Sequence, residues 1–398
     1  MVRVRKPSVL TAVLVLVASS AGSVGTSIPP AISTSISPLA APSSNGDLIA
    51  QRLPRVVYRG GPFVRRIRIV TITFATDDAG LVTRLEHFGN TITRTPWWRA
   101  VTEGYCAKAG DCIGEGQPGL SVRLTETLPS QVHAVEISAR LRDGAKAGRL
   151  GALDPNTVLL VYLPKGVSLK DAFVPSYCGD GPRAYHKALR FDNRSVGYAV
   201  MPRCSDEAAL TGTASHELLE LATNPETTRR GFSFVQSSDN LGFTAAGIEA
   251  MDPCGYIARG KAVVESGFAV RRAWSNRAAA QGHDPCVPTS TDRPYLALVP
   301  RLPTVRLAKE GDSVKISLDA AASQPVPEWA VSAFDLTGAQ EREQYIDVSL
   351  DKTTVTAGQT ATLTITLRKQ HPKRLSVVGI VSTMGDDSYV WPVAVVVR

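Results

Sequence analysis

All six cysteines of this 398-residue chain, Cys106, Cys112, Cys178, Cys204, Cys254 and Cys286, lie in its middle, and none follows Cys286. The number is even and no pair has the C-x-x-C spacing of a zinc knuckle or redox site, so disulfides are expected rather than metal ligands. Many pairings are formally open. The expectation is that neighbours join: Cys106 with Cys112, Cys178 with Cys204, and Cys254 with Cys286. Such bridges would staple the middle of the chain and leave the rest to fold by other means.

Disulfides need an oxidising compartment, and the N-terminus supplies a route to one. Arg3, Arg5 and Lys6 precede an apolar run over residues 9–18 and the small residues Ser19-Ser20-Ala21. The run is too short to span a bilayer, so residues 1–21 read as a secretory signal peptide. Residues 22–55 begin rich in Ser, Pro and Ala with almost no charge, and read as a flexible linker. The mature protein is therefore expected to be secreted, extracellular or periplasmic, with no transmembrane segment after signal cleavage. The formal charge of +8 includes three cations of the signal. The rest are scattered, which suits loose attraction to anionic envelope surfaces. With no basic stripe carrying interleaved aromatics, no nucleic-acid partner is expected.

Residues 56–288 alternate strand and helix signals, which predicts a mixed α/β (α+β) domain. Residues 66–74 alternate polar and apolar, 157–163 are almost continuously apolar, and 195–201 form a third strand. Residues 81–104 read as helix, interrupted near Thr95-Pro96 and restarting at Trp97-Trp98. From 292 to 398 there are few helix signals. Short β-rich runs at 313–318, 329–334, 346–350, 361–367, 375–382 and 390–397 predict an all-β immunoglobulin-like sandwich without an inter-sheet disulfide.

The chemistry concentrates in Ser215-His216-Glu217-Leu218-Leu219-Glu220 and the following Thr223-Asn224-Pro225. Ser205 or Asp206 is placed to cap this helix, and Pro225 ends it. Residues four apart share a helix face, so His216 and Glu220 can hold one metal ion with Glu217 beside it. This is the H-E-x-x-H pattern of zinc hydrolases with a carboxylate in place of the second imidazole. Zinc accepts both donor types, and a neighbouring carboxylate can take a proton from its bound water. The plain alternative is an amphipathic helix whose Leu218, Leu221 and Ala222 face the core.

The flanking residues resemble the phosphate-induced, or exordium-like, family of exported proteins. Tyr58-Arg59-Gly60-Gly61-Pro62 is similar to its Y-x-G-G-P, and Thr95-Pro96-Trp97-Trp98 through Tyr105 to its W-W pair and following tyrosine. Cys178 with Tyr185-His186, then Gly197 through Pro202, match its next blocks. Ser215 through Pro225 matches S-H-E-x-x-E-x-x-T-[ND]-P, and Glu249-Ala250-Met251-Asp252-Pro253-Cys254 resembles E-I-x-D-x-C. Trp274-Ser275-Asn276 and Cys286 close the match. Departures lie at Ala184, where the family has glycine, and inside the last acidic block, whose acids are kept. The resemblance covers residues 56–288. It implies a zincin-like domain distantly similar to metallopeptidases, in a family whose plant members are growth-associated apoplastic proteins without a settled activity.

On that basis one zinc ion is expected on His216, Glu220 and a downstream acid. Glu249 is the first choice, with Asp252 behind an imidazole, or the two in reversed roles. Glu217 is the candidate general base. His186 is a candidate proton donor or carbonyl polariser, or a structural histidine beside the Cys178 disulfide. Glu226 is expected at the surface, as are His87, His133, His283 and His371, and Trp97, Trp98 and Trp274 in the core or a groove. Ser215 lacks the G-x-S-x-G elbow of a serine nucleophile. Paired carboxylates for glycoside hydrolysis stay open, though a central histidine makes a metal the simpler account. Two functions follow: a secreted zinc metallopeptidase-like hydrolase acting on a peptide or related carbonyl, or a non-catalytic exported protein that binds a cell-wall polymer or partner.

Overall fold

Every residue of the strand Thr157–Tyr162 is buried, as expected of a strand covered on both faces. It is the middle of a five-stranded sheet in the computed structural model, which describes residues 45–172, 174–178, 183–192, 194–204, 206–257, 263–290 and 292–397. The expected signal peptide, most of the expected linker, and Ser205 lie outside the described residues. The strands are β1 (Arg68–Phe74), β2 (Leu120–Leu124), β3 (Thr157–Tyr162), β4 (Tyr185–Phe191) and β5 (Arg194–Met201). They are ordered β2-β1-β3-β5-β4, all parallel except the edge strand β4, which runs antiparallel to β5.

Alternate side chains feed two cores. Val158, Leu160, Ala199 and Met201 point to one face of the sheet. Leu159, Val161, Tyr198 and Val200 point to the other, against Ile137 and Leu141 of the helix Ala134–Lys146, which the sequence reading does not anticipate. On the first face lie helices Ala79–Thr91 and Glu207–Thr223. The expected helix at 81–104 breaks where proline predicts: Thr95 accepts from the Trp98 amide and caps the helix Pro96–Thr102. Trp97, Trp98 and Trp274 are fully buried. The indole of Trp98 donates to the Gly114 carbonyl, and that of Trp97 to the Arg271 carbonyl.

The three disulfides are Cys106–Cys112, Cys178–Cys204 and Cys254–Cys286, the expected neighbour pairs. No described helix is long and apolar enough to cross a membrane.

The C-terminal strands form two sheets. One contains Leu296–Pro300, Ser313–Ala322, Thr360–Leu367 and Ile346–Leu350. The other contains Thr304–Leu307, Asp387–Val397, Leu375–Met384, Trp329–Asp335 and Thr354–Val355. Leu318, Leu363 and Ile365 of the first sheet share a core with Val378, Val393 and Val395 of the second. The strands at 296–300 and 304–307 escape sequence reading because Pro300 and Pro303 bracket them as a loop would.

Two expectations change here, for the linker and for His371. The linker was expected to run flexibly to residue 55, but Asn45–Arg52 is a helix with Ile49 fully buried. It lies against Ser313–Ala322 and the helix Asn276–Ala280, so a short apolar pattern in a polar stretch is recruited by tertiary contact. The α/β region and the C-terminal strands, as far as they are described, lie in one compact unit. Phe243 joins them, its ring 5.7 Å from Trp274 and 5.4 Å from Trp391. His371, expected at the surface, is 3% exposed and held by Glu341.

Candidate metal centre

The helix bearing the motif starts at Asp206, whose side chain accepts from the Ala209 amide at 2.8 Å. It ends at Asn224, before Pro225. It approaches β5 closely: a Cβ on Gly197 would lie 2.7 Å from Leu221 Cδ2. This seats Leu218 and Leu221 in the core and turns His216, Glu217 and Glu220 toward one side. Glu220 is 3% and Glu217 6% exposed, and His216 is half-buried.

Two other segments reach that side. The edge strand β4 brings His186 by pairing it with Ala199. A turn at 247–252 brings Glu249 and Asp252. That turn is tied down by Phe234 N–H to the Ile248 carbonyl, by Trp274 N–H to the Ala250 carbonyl, and by the nearby Cys254–Cys286 bridge. The Glu249 amide donates to Asp252 Oδ2 at 2.9 Å. A Cβ at Gly247 would lie 1.9 Å from the same oxygen, so only glycine lets the Asp252 carboxylate fold back here.

His216 Nε2 lies 3.0 Å from Glu220 Oε1, yet Oε1 is buried without a hydrogen-bond partner. Donor atoms of His216, Glu220 and Asp252 all lie within 4.8 Å of one another. Those of His186, Glu220 and Glu249 do likewise. His216 and Glu220 thus gather with Asp252 rather than with Glu249, the reversed assignment. His186 Nδ1 is 3.1 Å from Glu217 Oε2 and 3.4 Å from Glu220 Oε2, and its Nε2 is 3.6 Å from Glu249 Oε1. It belongs to the cluster and is not simply a neighbour of the Cys178 disulfide.

The sequence reading treats Asn224 only as a helix stop. In the structure Asn224 Oδ1 accepts from the Phe232 amide, and its Nδ2 donates to Glu249 Oε1 at 2.8 Å. It is a fully buried clamp on an acid 25 residues away. The signal was the Asn-Pro pair itself, because an amide at a helix end has both a donor and an acceptor to offer. Glu226, expected at the surface, is 8% exposed and flanked by Arg190 and Arg229 at 3.7 and 3.3 Å. It joins neither donor group.

A cleft of about 350 Å³ opens onto His216 and Glu217, lined also by Thr213, Met251, Arg183 and Arg271. Arg272 lines it too and pairs with Asp284.

No protein-family model matches the chain, and no curated protein matches it. Solved structures with local similarity include a Bacteroides ovatus GH5 xyloglucanase in complex with a heptasaccharide: 13% identity, TM-score 0.17, 27% of this chain and 19% of that one. The titin domains Z1Z2 in complex with telethonin match at 16% identity and TM-score 0.18, over 28% of this chain and 50% of that one. Titin M4 matches at 18% and 0.18, over 26% and 95%. The chain thus spans about a fifth of the xyloglucanase and half of the Z1Z2 chain. At these TM-scores the similarities carry no argument, and the site's chemistry has to speak for itself.

That chemistry is acid-rich. Burial pulls His216 down, but Glu220, Glu217 and Asp252 outweigh it and raise it to about 9. Burial likewise opposes the charge on Glu220, yet His216 and His186 hold it at about 2. Burial, joined by the charge of Glu220, pushes Asp252 up to about 8. For His186, burial is again overcome by Glu217, Glu220 and Glu249, leaving it well above its usual value. Without a cation, the cluster has to hold extra protons to offset its carboxylates. A divalent ion relieves the same need.

Proposed function

We propose that this chain is an exported, zinc-dependent hydrolase of the zincin-like, exordium-like kind, with His216, Glu220 and Asp252 as the ligands of one ion and Glu217 as general base. The observation that carries the reading is the buried, unpartnered Oε1 of Glu220 beside His216 Nε2, with a third donor from Asp252 inside 4.8 Å. One imidazole and two carboxylates suit zinc, and three protein ligands leave a position for water. The bound ion would supply Lewis acidity that makes water a nucleophile near neutral pH.

The chain's own residues do the rest. Glu217 lies outside both donor groups but at the cleft, where its carboxylate can accept the proton of an attacking water and return it to a leaving amine. His186 Nδ1, at 3.1 Å, holds that carboxylate in one orientation. Thr213 and Met251 bound the space for a peptide carbonyl, and Arg183 and Arg271 make its rim positive, which favours a substrate with negative charge. Three disulfides and the lack of a membrane-crossing helix among the described residues are compatible with secretion. The C-terminal sheets, read as an immunoglobulin-like sandwich, would serve as a docking module for a peptide or cell-wall substrate.

One observation favours the second reading, a non-catalytic wall- or partner-binding protein. Two carboxylates and one imidazole put more negative charge on the ion than two imidazoles do, which makes its water less acidic. Metal analysis and peptide hydrolysis of protein with intact disulfides separate the two. The hydrolase reading requires at least one equivalent of zinc, about one of which His216→Ala removes, and hydrolysis that Glu217→Gln abolishes while zinc stays. Zinc below about a tenth of an equivalent, unchanged by His216→Ala, would overturn it.

A further inference from the structure

We infer that the centre holds two divalent ions, the second on His186, Glu220 and Glu249, with Glu220 shared between them. The inference rests on the reading of His216 and Glu220 as ligands and goes beyond it.

Three observations carry it. The donors fall into two groups rather than one: His186 sits with Glu220 and Glu249, and His216 with Glu220 and Asp252. Neither histidine appears in the other's group, so one ion cannot take both as they stand. Glu220 is common to the two groups: its Oε1 lies 3.0 Å from His216 Nε2 and its Oε2 lies 3.4 Å from His186 Nδ1. A carboxylate so placed could give one oxygen to each ion of a close pair of the kind two-metal hydrolases use.

The second observation is an orphan. His186 is 9% exposed, and its Nε2 has no hydrogen-bond partner although Glu249 Oε1 is 3.6 Å away. Its Nδ1 meanwhile faces Glu217 Oε2 at 3.1 Å. An imidazole bound to a carboxylate through one nitrogen, with the other free, is the arrangement of a metal-ligating histidine oriented from behind. Glu249 is already oriented by Asn224. Leaving a buried imidazole nitrogen unpaired is costly, and a metal ion on Nε2 would relieve that cost.

The third is charge. Glu217, Glu220, Glu249 and Asp252 bring four carboxylates together, and among the described residues no lysine or arginine forms an ion pair with any of them. One dication leaves half of that charge uncompensated in a largely buried site. Two dications balance it.

The test is stoichiometry. Protein with intact disulfides is stripped with a chelator, titrated with Zn(II) and separately with Co(II), and analysed for metal after desalting. Wild type should bind two equivalents. His186→Asn and Glu249→Gln should each bind one tightly, with the second equivalent weakened by more than the roughly 10–100-fold that loss of an outer-shell partner costs. His216→Asn should also bind one, and Glu220→Gln should weaken both. A single equivalent in wild type, lost in His216→Asn but kept in His186→Asn, overturns the second site and leaves the first intact. No equivalents in wild type overturns both. Glu249→Gln keeps an oxygen for Asn224 and decides the matter if His186→Asn fails to fold. In the Mn(II)-loaded protein, magnetic coupling between the ions supports sharing through Glu220, and two uncoupled ions would overturn it.

Discussion

His186 and His371 are both buried histidines beside carboxylates, one in the α/β region and one among the C-terminal strands, and they are bound in opposite ways. His371 Nε2 lies 3.1 Å from both oxygens of Glu341, and its Nδ1 accepts from the Lys373 amide at 3.1 Å. Its ring packs edge-on against Tyr345. His186 faces three carboxylates yet leaves Nε2 unsatisfied. A buried polar group with all its partners is a fastening, and one without them needs another explanation, of which a ligand is one. Both lie in polar surroundings, so the completeness of hydrogen bonding, and not burial or neighbouring charge, tells the two apart.

The largest expected effect lies on the His186 side. Glu217→Gln should lower kcat for peptide hydrolysis by about a thousandfold with zinc content unchanged, the size expected for a lost general base. His371→Asn should leave kcat as it was. A similar fall in both variants would erase the contrast.

Next comes the frame that holds Asp252. Replacing Cys254 and Cys286 together by serine opens a bridge spanning 32 residues and should cost about 3 kcal/mol of stability in denaturant unfolding. Zinc affinity, measured by chelator competition, should fall with it, because the short helix Asp252–Ile257 carries both Cys254 and Asp252, the proposed ligand. An unchanged affinity would show that Gly247 and the Glu249 amide position Asp252 unaided. The same experiment on the Cys106–Cys112 bridge should cost stability alone.

His371→Asn should destabilise the protein by about 1–2 kcal/mol through the unpaired groups it leaves, with metal stoichiometry untouched. A change in stoichiometry would tie the two regions together in a way their separate hydrogen bonding does not suggest.

The last comparison is a pH trend in chelator-stripped protein. His216, raised to about 9 from 6.5, contributes stability that is full below pH 6.5 and lost as pH rises through 9. Asp252, raised to about 8 from 3.8, makes the folded state bind more protons between those values, so stability again falls as pH rises. Glu220, lowered to about 2 from 4.5, acts at the other end: its contribution is present above 4.5 and lost on acidification. The apoprotein's Tm should therefore be highest near pH 5 and decline toward pH 9. Added zinc should flatten the alkaline slope, and a slope unaffected by zinc would separate these groups from the ion.

Local chemistry was legible in the sequence. Asp206, the apolar face and Pro225 bound a helix by interactions within a turn or two, so its limits and the shared face of His216 and Glu220 could be read directly. The nearest-neighbour disulfides held because short closures are the easiest to form. What was missed is long-range. His186 enters the site through the register that pairs it with Ala199. Glu226 was expected at the surface because nothing local says that Arg190 will come from β4 to cover it.

The sequence by itself determined that His216 and Glu220 would share a helix face with Glu217 beside it, since the α-helical period is set by backbone sterics and does not depend on the rest of the chain. Only the tertiary structure decided which distant acid joins them. A glycine at 247 lets Asp252 fold back, and Asn224 draws Glu249 toward His186. Those choices depend on how a sheet edge, a helix end and a disulfide-tied turn close on one another, and no period in the sequence encodes that distance.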